Sequence, residues 1–312
     1  MPSLSPLLID KLAITLPLSD MAFDRATEQL NALSLAGYEI EQAFSPYYRA
    51  TYSIALSPYC QILISLGAAI YSTPRPSDDP EVELDLDIES TGTRRRCRIE
   101  WNPAKAAKHR EAFLFAIETL LGEEFRSEFQ DARITRIDIA VDIIDVNINR
   151  LAISRSDTSV KSAIYYDRDG KPQTVYLGDK SSPLRFAIYD KKTQARPVRR
   201  YRQERTRIEA WIKTRLTIQG LLNYPNPFSR LAITEFEELE WLANHANYKW
   251  EWFIDSSKSR GREAALNLMP TRSRNNWGRK LSEIRGPRWW DPEVVWAGLR
   301  SALEEIGLWQ FH

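Results

Sequence analysis

Apolar and polar residues alternate with a period of two along much of the first 217 residues, and this pattern predicts a sheet of several strands. Between the strand-like stretches, Ser19 and Asp20 can cap a helix over about 22–35. Apolar residues at helical spacing predict a second helix over 104–122. The strand-like stretches are 8–17, 51–71, 94–102, 133–144, 184–192 and 206–217.

Two further stretches predict strands with particular surroundings. Residues 160–178 form two β-rich arms around Asp167 to Gly170, whose final Asp-Gly pair is typical of a hairpin turn. Over 81–89, after a proline-rich turn at 74–80, acidic residues alternate with aliphatic ones. This alternation predicts a half-exposed strand with a solvated acidic face rather than a metal-binding cluster.

Beyond the last of these strands the character of the chain changes. Helical patterns dominate 229–255 and 291–306, and a polar, basic segment lies between them at 256–288. We therefore predict one domain over 1–222 and a smaller, mostly helical part over 223–312. The fold class is α+β: a central, mostly antiparallel sheet with helices covering one face and a polar face left on the other side.

The formal net charge of +1 conceals an asymmetry along the chain. The first 90 residues carry 13 acidic and 4 basic side chains, whereas 185–217 carries 11 Lys or Arg against 3 acids and 256–288 carries 9 against 2. Basic tracts that include aromatic residues are typical of a surface that follows a nucleic-acid backbone, although solvated loops share this composition. Two such tracts favour nucleic acid, and the candidate DNA contacts are Lys192, Arg199, Arg200, Arg202, Arg207, Trp277, Arg279 and Lys280.

Several other classes of protein are disfavoured. The longest apolar runs fall short of the roughly 18 residues of a membrane span, and the N-terminus lacks the features of a signal peptide. The two cysteines, Cys60 and Cys97, lie far apart without metal-ligand spacing, which favours buried thiols over a disulfide. We therefore expect a cytoplasmic protein with no membrane partner.

Four predicted strands share one design, in which an apolar face lies opposite a polar face that bears a carboxylate or a tyrosine. Pairing of these strands in one sheet would bring their polar side chains together. Ordinary surface ion pairs, such as Arg98 with Glu100, are the alternative. The polar positions are Arg98, Glu100 and Asn102; Arg136, Asp138 and Asp142; Arg185, Tyr189 and Lys191; and Arg207, Glu209 and Trp211.

The carboxylates of this face predict a divalent metal. Carboxylates that lie close together repel one another unless they bind a cation, and hard oxygen ligands favour Mg²⁺ or Mn²⁺. We expect Glu100, Asp138, Glu209 and Asp142 to hold such an ion near Tyr189. The ion would neutralise charge that develops on a phosphate oxygen.

Tyr189 is the candidate nucleophile. A phenol with an ordinary pKa near 10 needs a neighbouring cation or base to attack as phenolate. Lys191, Lys192 or Arg185, on the same predicted strand, would lower that pKa and hold a phosphate. The three histidines are isolated and neither a Walker A loop nor a GxGxxG motif is present, which disfavours histidine-based and nucleotide-binding sites.

Five stretches also match a known family in their order and spacing: Arg98–Pro103, Thr135–Asp142, Ala163–Gly178, Arg185–Lys192 and Arg207–Lys213. Together they resemble the rolling-circle replication initiators of staphylococcal-type plasmids. That family includes filamentous-phage initiation factors and nickases of some integrative conjugative elements. The resemblance covers about 95–215, whereas the N-terminal 90 residues match only in general pattern and the C-terminal third hardly at all.

The resemblance implies a chemistry and a role for each matching residue. It identifies Tyr189 as a nucleophile that cuts one strand at a hairpin-borne origin and stays attached as a 5′-phosphotyrosine, leaving a 3′-hydroxyl that primes synthesis. It identifies Glu100, Asp138 and Glu209 as metal ligands, and it implies a homodimer that recruits a host helicase. One departure is Ala187, where the family carries an arginine that would add a phosphate clamp.

The predicted function is thus a plasmid or phage replication initiator that nicks and rejoins one DNA strand in a metal-dependent, topoisomerase-like reaction. A conjugative or mobilisation relaxase of the same chemistry is one alternative, and a DNA-binding regulator without catalysis is another. Segment 256–290, with tryptophans among Arg and Lys, is the candidate for recognition of a duplex or hairpin. A helical subdomain whose tryptophans form its core is the competing interpretation.

Overall fold

The predicted strands form one large sheet. The structure is a computed structural model that describes residues 2–18, 20–43, 48, 50–67, 96–122, 129, 132–155, 161–194, 201–236, 248–260, 262–282 and 286–309. The strands of the large sheet are β1 Ser3–Leu4, β2 Leu8–Pro17, β3 Glu39–Ala43, β4 Ala50–Ser57, β5 Cys60–Leu66, β6 Arg96–Trp101 and β7 Arg133–Ile144, and then, after a strand β8 of Leu151–Arg155 that lies outside it, β9 Ser162–Tyr166, β10 Pro172–Leu177, β11 Leu184–Asp190 and β12 Arg205–Leu216.

The order of strands across the large sheet is β3-β4-β5-β6-β2-β7-β12-β11-β10-β9, with β1 paired to β7. Each pairing among the described strands is antiparallel. The N-terminal strand β2 therefore lies in the middle of the sheet, between β6 and β7. The predicted strands at 8–17 and 133–144 are confirmed at both ends, and the predicted hairpin forms from β9 and β10.

Helices cover the apolar face of this sheet, as predicted. Apolar residues of β2, β6, β7, β11 and β12 pack with those of the helices in one continuous core, which contains fully buried side chains such as Leu12, Ile99, Ile139, Phe186 and Ile208. The helices described along the chain are α1 Asp20–Leu35, α2 Pro103–Ala106, α3 Arg110–Leu121, α4 Lys191–Gln194, α5 Ile218–Leu222, α6 Tyr248–Arg260, α7 Arg262–Asn267, α8 Thr271–Ser282, α9 Pro292–Ala297 and α10 Leu299–Ile306.

The C-terminal part contains a strand that the pattern did not predict. Residues Leu231–Glu235, inside a segment predicted as helix, form β13 and pair with β8 in a second, two-stranded sheet. The basic segment 256–288 is largely helical in α6, α7 and α8, rather than a polar connection. These three helices enclose a small core of their own, around Trp250 and Phe253, whereas α9 and α10 contribute to the main core.

The α+β class with a large antiparallel sheet is confirmed. The predicted acidic strand at 81–89 lies outside the described residues. Cys60 and Cys97 are buried and form no disulfide, as expected. Within the described part of the chain, no helix has the length and apolar character needed to cross a membrane. The division at 222 and 223 stays a prediction.

Candidate active site

Tyr189 lies at the centre of a buried cluster of polar side chains on the polar face of the sheet, opposite the face that the helices cover. Its strand, β11, places it between Thr174 of β10 and Arg207 of β12, and only 7% of the residue is exposed. The phenol Oη donates a hydrogen bond of 2.5 Å to Oε1 of Glu209. Lys191 Nζ donates to the same Oη at 3.2 Å. The nucleophile candidate thus has a proton acceptor and a cation in direct contact.

Lys191 reaches the phenol because the strand ends earlier than predicted. The pattern predicted a strand to 192, but β11 ends at Asp190 and the short helix α4 begins at Lys191. Asp190 Oδ1 accepts hydrogen bonds from the backbone N–H groups of Lys192 and Thr193, which stabilises this first turn. The turn folds Lys191 back over the Tyr189 ring, with Nζ 5.3 Å from its centroid.

Glu209 is held in place from two sides. Oε1 accepts the hydrogen bond from Tyr189, and Oε2 accepts one of 2.9 Å from the indole Nε1 of Trp211. Both donors lie on the same face as Glu209, because Tyr189 is on the neighbouring strand and Trp211 is two residues further along β12. The carboxylate is 5% exposed and is therefore a fixed, desolvated acceptor.

Burial shifts the pKa values of Tyr189 and Lys191 in opposite directions. Burial, reinforced by the Glu209 carboxylate, raises the pKa of Tyr189 above its ordinary value, although Arg207 acts in the opposite direction. Burial and the neighbouring Arg207 lower the pKa of Lys191. The pKa of Tyr189 was expected to fall beside Lys191, Lys192 or Arg185, but in the resting protein it is raised. Its phenol is protonated and donates to Glu209.

Asp142 and Arg207 form a buried ion pair beside Tyr189. Arg207 Nε and Nη2 donate to the two Asp142 oxygens at 2.6 and 3.1 Å, and Arg205 adds a third contact at 3.0 Å. Arg207 Nη1 also lies 3.5 Å from Asp10 Oδ1 and 4.0 Å from Glu209 Oε1. Arg207, predicted to contact DNA, is 6% exposed and is occupied by these carboxylates.

The other two predicted metal ligands are also ion-paired. Asp138 accepts two hydrogen bonds of 2.9 Å from Arg136, yet burial raises its pKa to about 6. Glu100 contacts Lys11 at 2.5 Å and Arg98 at 3.1 Å; burial opposes these cations, but together they hold the pKa of Glu100 below its usual range. β6, which carries Glu100, is four strand positions from β11, or about 19 Å at the usual spacing.

These contacts do not fit a preformed metal centre. Across the described residues, no group of three or more Asp, Glu, His or Cys side chains is placed to hold a metal ion. Each of the four predicted ligands already faces Lys or Arg, or in the case of Glu209 the phenol and indole donors. The requirement for Mg²⁺ or Mn²⁺ stays a prediction.

The predicted DNA contacts have varied positions. Lys192 pairs with Glu204 at 2.6 Å, Arg202 is exposed, and Arg199 and Arg200 lie outside the described residues. Trp277 packs against Trp250, with ring centroids 4.8 Å apart, so it belongs to the small C-terminal core. Arg279 and Lys280 are exposed on α8.

Sequence reasoning missed two members of the cluster. Asp10 contacts Arg207 and accepts a hydrogen bond from Asn102 at 3.1 Å, but a register shift between Ile9 and Lys11 removes it from the regular alternation of β2. Trp211 lies on the predicted polar face, but the pattern alone predicts no role for it. Its position two residues after Glu209, on the same face of the strand, is the sequence signal that could have predicted the hydrogen bond between them.

Comparisons with known proteins agree with the resemblance seen in the sequence. Proteins from Staphylococcus aureus named replication initiation protein match the chain: two are 33% identical over 113 residues and a third is 32% identical over the same length. Each match covers 36% of this chain and 33% of the relative, so the chain spans about a third of the length of the curated relatives it matches. The predicted resemblance is confirmed over that length.

Two other comparisons add less. No family model matches the chain. A solved rolling circle replication initiator protein from Geobacillus stearothermophilus aligns with 68% of this chain and 75% of its own, at 15% identity and a TM-score of 0.36.

Proposed function

We propose that this chain, which resembles staphylococcal replication initiation proteins over 113 residues, is a rolling-circle replication initiator that nicks and rejoins one DNA strand through Tyr189. The observation that carries the proposal is the contact of the buried Tyr189 phenol with both Glu209 and Lys191. A phenol with a fixed acceptor for its proton and a cation on its oxygen is equipped for nucleophilic catalysis.

The chemistry follows from these contacts. As Tyr189 Oη approaches the phosphorus, its proton passes to Glu209 Oε1, and Lys191 stabilises the negative charge that develops on Oη during the attack. The new bond joins Oη to phosphorus, the bond from phosphorus to the 3′-oxygen breaks, and that oxygen takes a proton from solvent. The 5′-phosphate stays on Tyr189, and attack by a 3′-hydroxyl reverses the step and rejoins the strand.

The raised pKa of Tyr189 gives the free protein a protonated, inactive nucleophile. A phosphodiester bound beside the phenol would bring negative charge toward Lys191 and displace water from the site. Proton transfer to Glu209 within this closed cluster then requires no free phenolate. The proposed reaction is therefore coupled to correct placement of the DNA strand.

Recognition of the origin is proposed for α8. Its exposed side chains Arg272, Asn275, Asn276 and Arg279 follow the i, i+3, i+4, i+7 spacing of one helical face. Trp277 and Leu281 lie on the opposite side, in the small core. Arg and Asn are the side chains best suited to read guanine and adenine edges in a major groove, which supports duplex recognition by this face.

The test is nicking of supercoiled DNA that carries the cognate origin, with Mg²⁺, with Mn²⁺ and with a chelator. Tyr189→Phe is expected to abolish both nicking and the covalent protein–DNA adduct, while Tyr59→Phe, a change at an exposed tyrosine between β4 and β5, is expected to retain both. An adduct formed by Tyr189→Phe would refute the assignment. Binding without cleavage under every divalent ion would favour the regulator, and transfer genes beside the coding gene would favour the relaxase.

Origin selectivity is tested separately. Deleting 256–312 would remove α9 and α10 from the main core, so substitutions are the sounder test. Arg272→Ala with Arg279→Ala is expected to abolish preference for the origin while cleavage of a single-stranded nick site persists. Retained preference would place recognition elsewhere. The helicase and the homodimer implied by the resemblance stay predictions.

A further inference from the structure

Five neighbouring strands each contribute one side chain to a row of aromatic rings and guanidinium groups. The row, here called the stacking row, runs inward from the edge of the sheet: Tyr165 of β9, Tyr176 of β10, Arg185 of β11, Trp211 of β12 and Arg136 of β7. It lies on the same face as Tyr189, since Thr174 and Tyr189 are paired and Tyr176 is two residues beyond Thr174.

Successive members of the stacking row touch. The rings of Tyr165 and Tyr176 are 5.7 Å apart, and those of Tyr176 and Trp211 are 5.8 Å apart. The Arg185 guanidinium lies 4.1 Å from the Tyr176 ring and 5.1 Å from the Trp211 ring, and Arg136 lies 5.2 Å from Trp211. The guanidinium distances are typical of cation–π contacts, which hold the rings and guanidinium groups together as one row. The rings are not coplanar: the planes of Tyr165 and Tyr176 meet at 88° and those of Tyr176 and Trp211 at 58°, so each ring offers its own face or edge.

Ala187 makes this surface possible. It is paired with Tyr176 on one side and Glu209 on the other, and it is 1% exposed. Tyr176 and Trp211 stand on strands separated by β11, about 10 Å apart at the usual spacing. Two side chains of β11 lie between them, Arg185 opposite Trp211 and Ala187 opposite Tyr176. Because Ala187 carries only a methyl group, the two rings can approach each other beside the Arg185 guanidinium.

The stacking row is accessible and positively charged. Tyr165 is 59% exposed, and Tyr176, Arg185 and Trp211 are partly exposed. Among the described residues, Arg185 forms no ion pair with a carboxylate; its Nε is buried and has no hydrogen-bond partner, while the residue as a whole is partly exposed. Tyr176 lies opposite a position only two residues from Tyr189, about 7 Å along the strand. A strand whose phosphate lies at Tyr189 would therefore extend over these rings.

We propose that the stacking row binds unpaired bases of single-stranded DNA next to the scissile phosphate, an inference that rests on the proposed nicking function. Bases stack on aromatic rings and guanidinium planes only when they are free of a duplex, and a phosphate can pair with Arg185. The surface therefore favours melted or looped DNA over duplex DNA at the site of cleavage. Sequence preference is supplied elsewhere, because stacking accepts every base.

The test measures binding without cleavage, in a Tyr189→Phe background. The probe is oligothymidylate of about 12 nucleotides with one 2-aminopurine, whose fluorescence falls when it stacks. Tyr176→Ser is expected to weaken binding about 5- to 150-fold and to abolish the quenching, while a duplex of the same length binds as before. Tyr176→Phe keeps the ring and is expected to keep both the affinity and the quenching. Tyr59→Ser, at the other end of the sheet, is the matched control.

Several outcomes overturn the stacking row. The first is unchanged oligothymidylate binding by Tyr176→Ser, and the second is an equal loss of affinity for duplex and single strand in that variant. The third is a loss of affinity in Tyr176→Phe as large as in Tyr176→Ser. The fourth is a preference of the wild-type protein for oligouridylate over oligothymidylate. Failure of the proposed function is a different result, because it appears as absent nicking by the wild-type chain whatever the oligonucleotide affinities are. Melting temperatures of the variants show whether each is folded.

Discussion

Replacing Glu209 with glutamine separates the role of proton acceptor from that of metal ligand. The wild-type carboxylate accepts one hydrogen bond from Tyr189 and one from Trp211. A glutamine side chain offers a single acceptor oxygen to these two donors, so one contact is lost at a cost of about 1–3 kcal/mol. Removal of a buried charge beside Asp138 offsets part of that loss, and the protein is expected to stay folded.

The effect on catalysis is expected to be much larger. Positioned general bases contribute about 10²- to 10⁴-fold to rates, so single-turnover nicking by Glu209→Gln should slow by that factor. Its rate should rise about tenfold per pH unit, because hydroxide must replace the lost base. The pKa of Tyr189 should fall, since Glu209 contributes to its elevation. The pH dependence of the nicking rate is measured for the wild type and for Glu209→Gln on a fluorescent oligonucleotide that carries the nick site.

A matched control exists within the chain. Glu235 accepts a hydrogen bond from the Trp289 indole at 2.7 Å but contacts Arg150 instead of a tyrosine. Glu235→Gln therefore reproduces the loss of a carboxylate beside an indole, and nicking should be retained. If Glu209→Gln nicks within tenfold of wild type, about 1.4 kcal/mol in activation free energy, the base assignment is wrong. Full rescue by saturating Mn²⁺ would make Glu209 a metal ligand.

Three further predictions concern stability. Burial raises the pKa of Asp138 to about 6, so the folded protein binds the Asp138 proton more tightly than the unfolded chain does. The resulting stabilisation of the folded state, about 3 kcal/mol, is fully present below about pH 4 and is lost as the pH rises through about 6. Urea titrations across this pH range should show that Asp138→Asn removes the loss. Arg207→Leu leaves the buried Asp142 carboxylate short of its main partner and should cost about 3–5 kcal/mol in the same assay, most of it regained when Asp142→Leu is added. Gly178→Ala, at φ +113° with a backbone carbonyl oxygen 2.9 Å from the new Cβ, should lose about 1–3 kcal/mol by thermal unfolding, whereas Gly278→Ala, in open space, should not.

Long alternating patterns predicted the strands that build the site. β2 and β7 begin and end where the alternation does, and the shared polar face of Tyr189 and Glu209 follows from their positions on strands that pair. The period of two is fixed by backbone geometry, so which residues share a face is encoded locally. The proximity of the Tyr189 phenol and the Glu209 carboxylate could therefore be predicted from the sequence.

The order of strands was not encoded in the same way. Four polar faces were expected to converge, but β2 lies between β6 and β7 and supplies Lys11 as the partner of Glu100. Pairings between distant segments depend on the total packing of the core, which no single stretch reveals. For the same reason β13, five residues long and paired with β8 some 80 residues earlier, was mistaken for helix.

The central place of β2 has a consequence during synthesis of the chain. Strand β2 lies in the middle of the sheet, but its partner β7 is synthesised more than 100 residues later. The polar face is complete only after β12 has left the ribosome. Until then the nascent sheet presents unpaired strand edges, which favour chaperone binding and slow folding. Under the proposed function, a truncated or unfinished chain that ends before residue 209 would carry Tyr189 without Glu209 and would be unable to cut DNA.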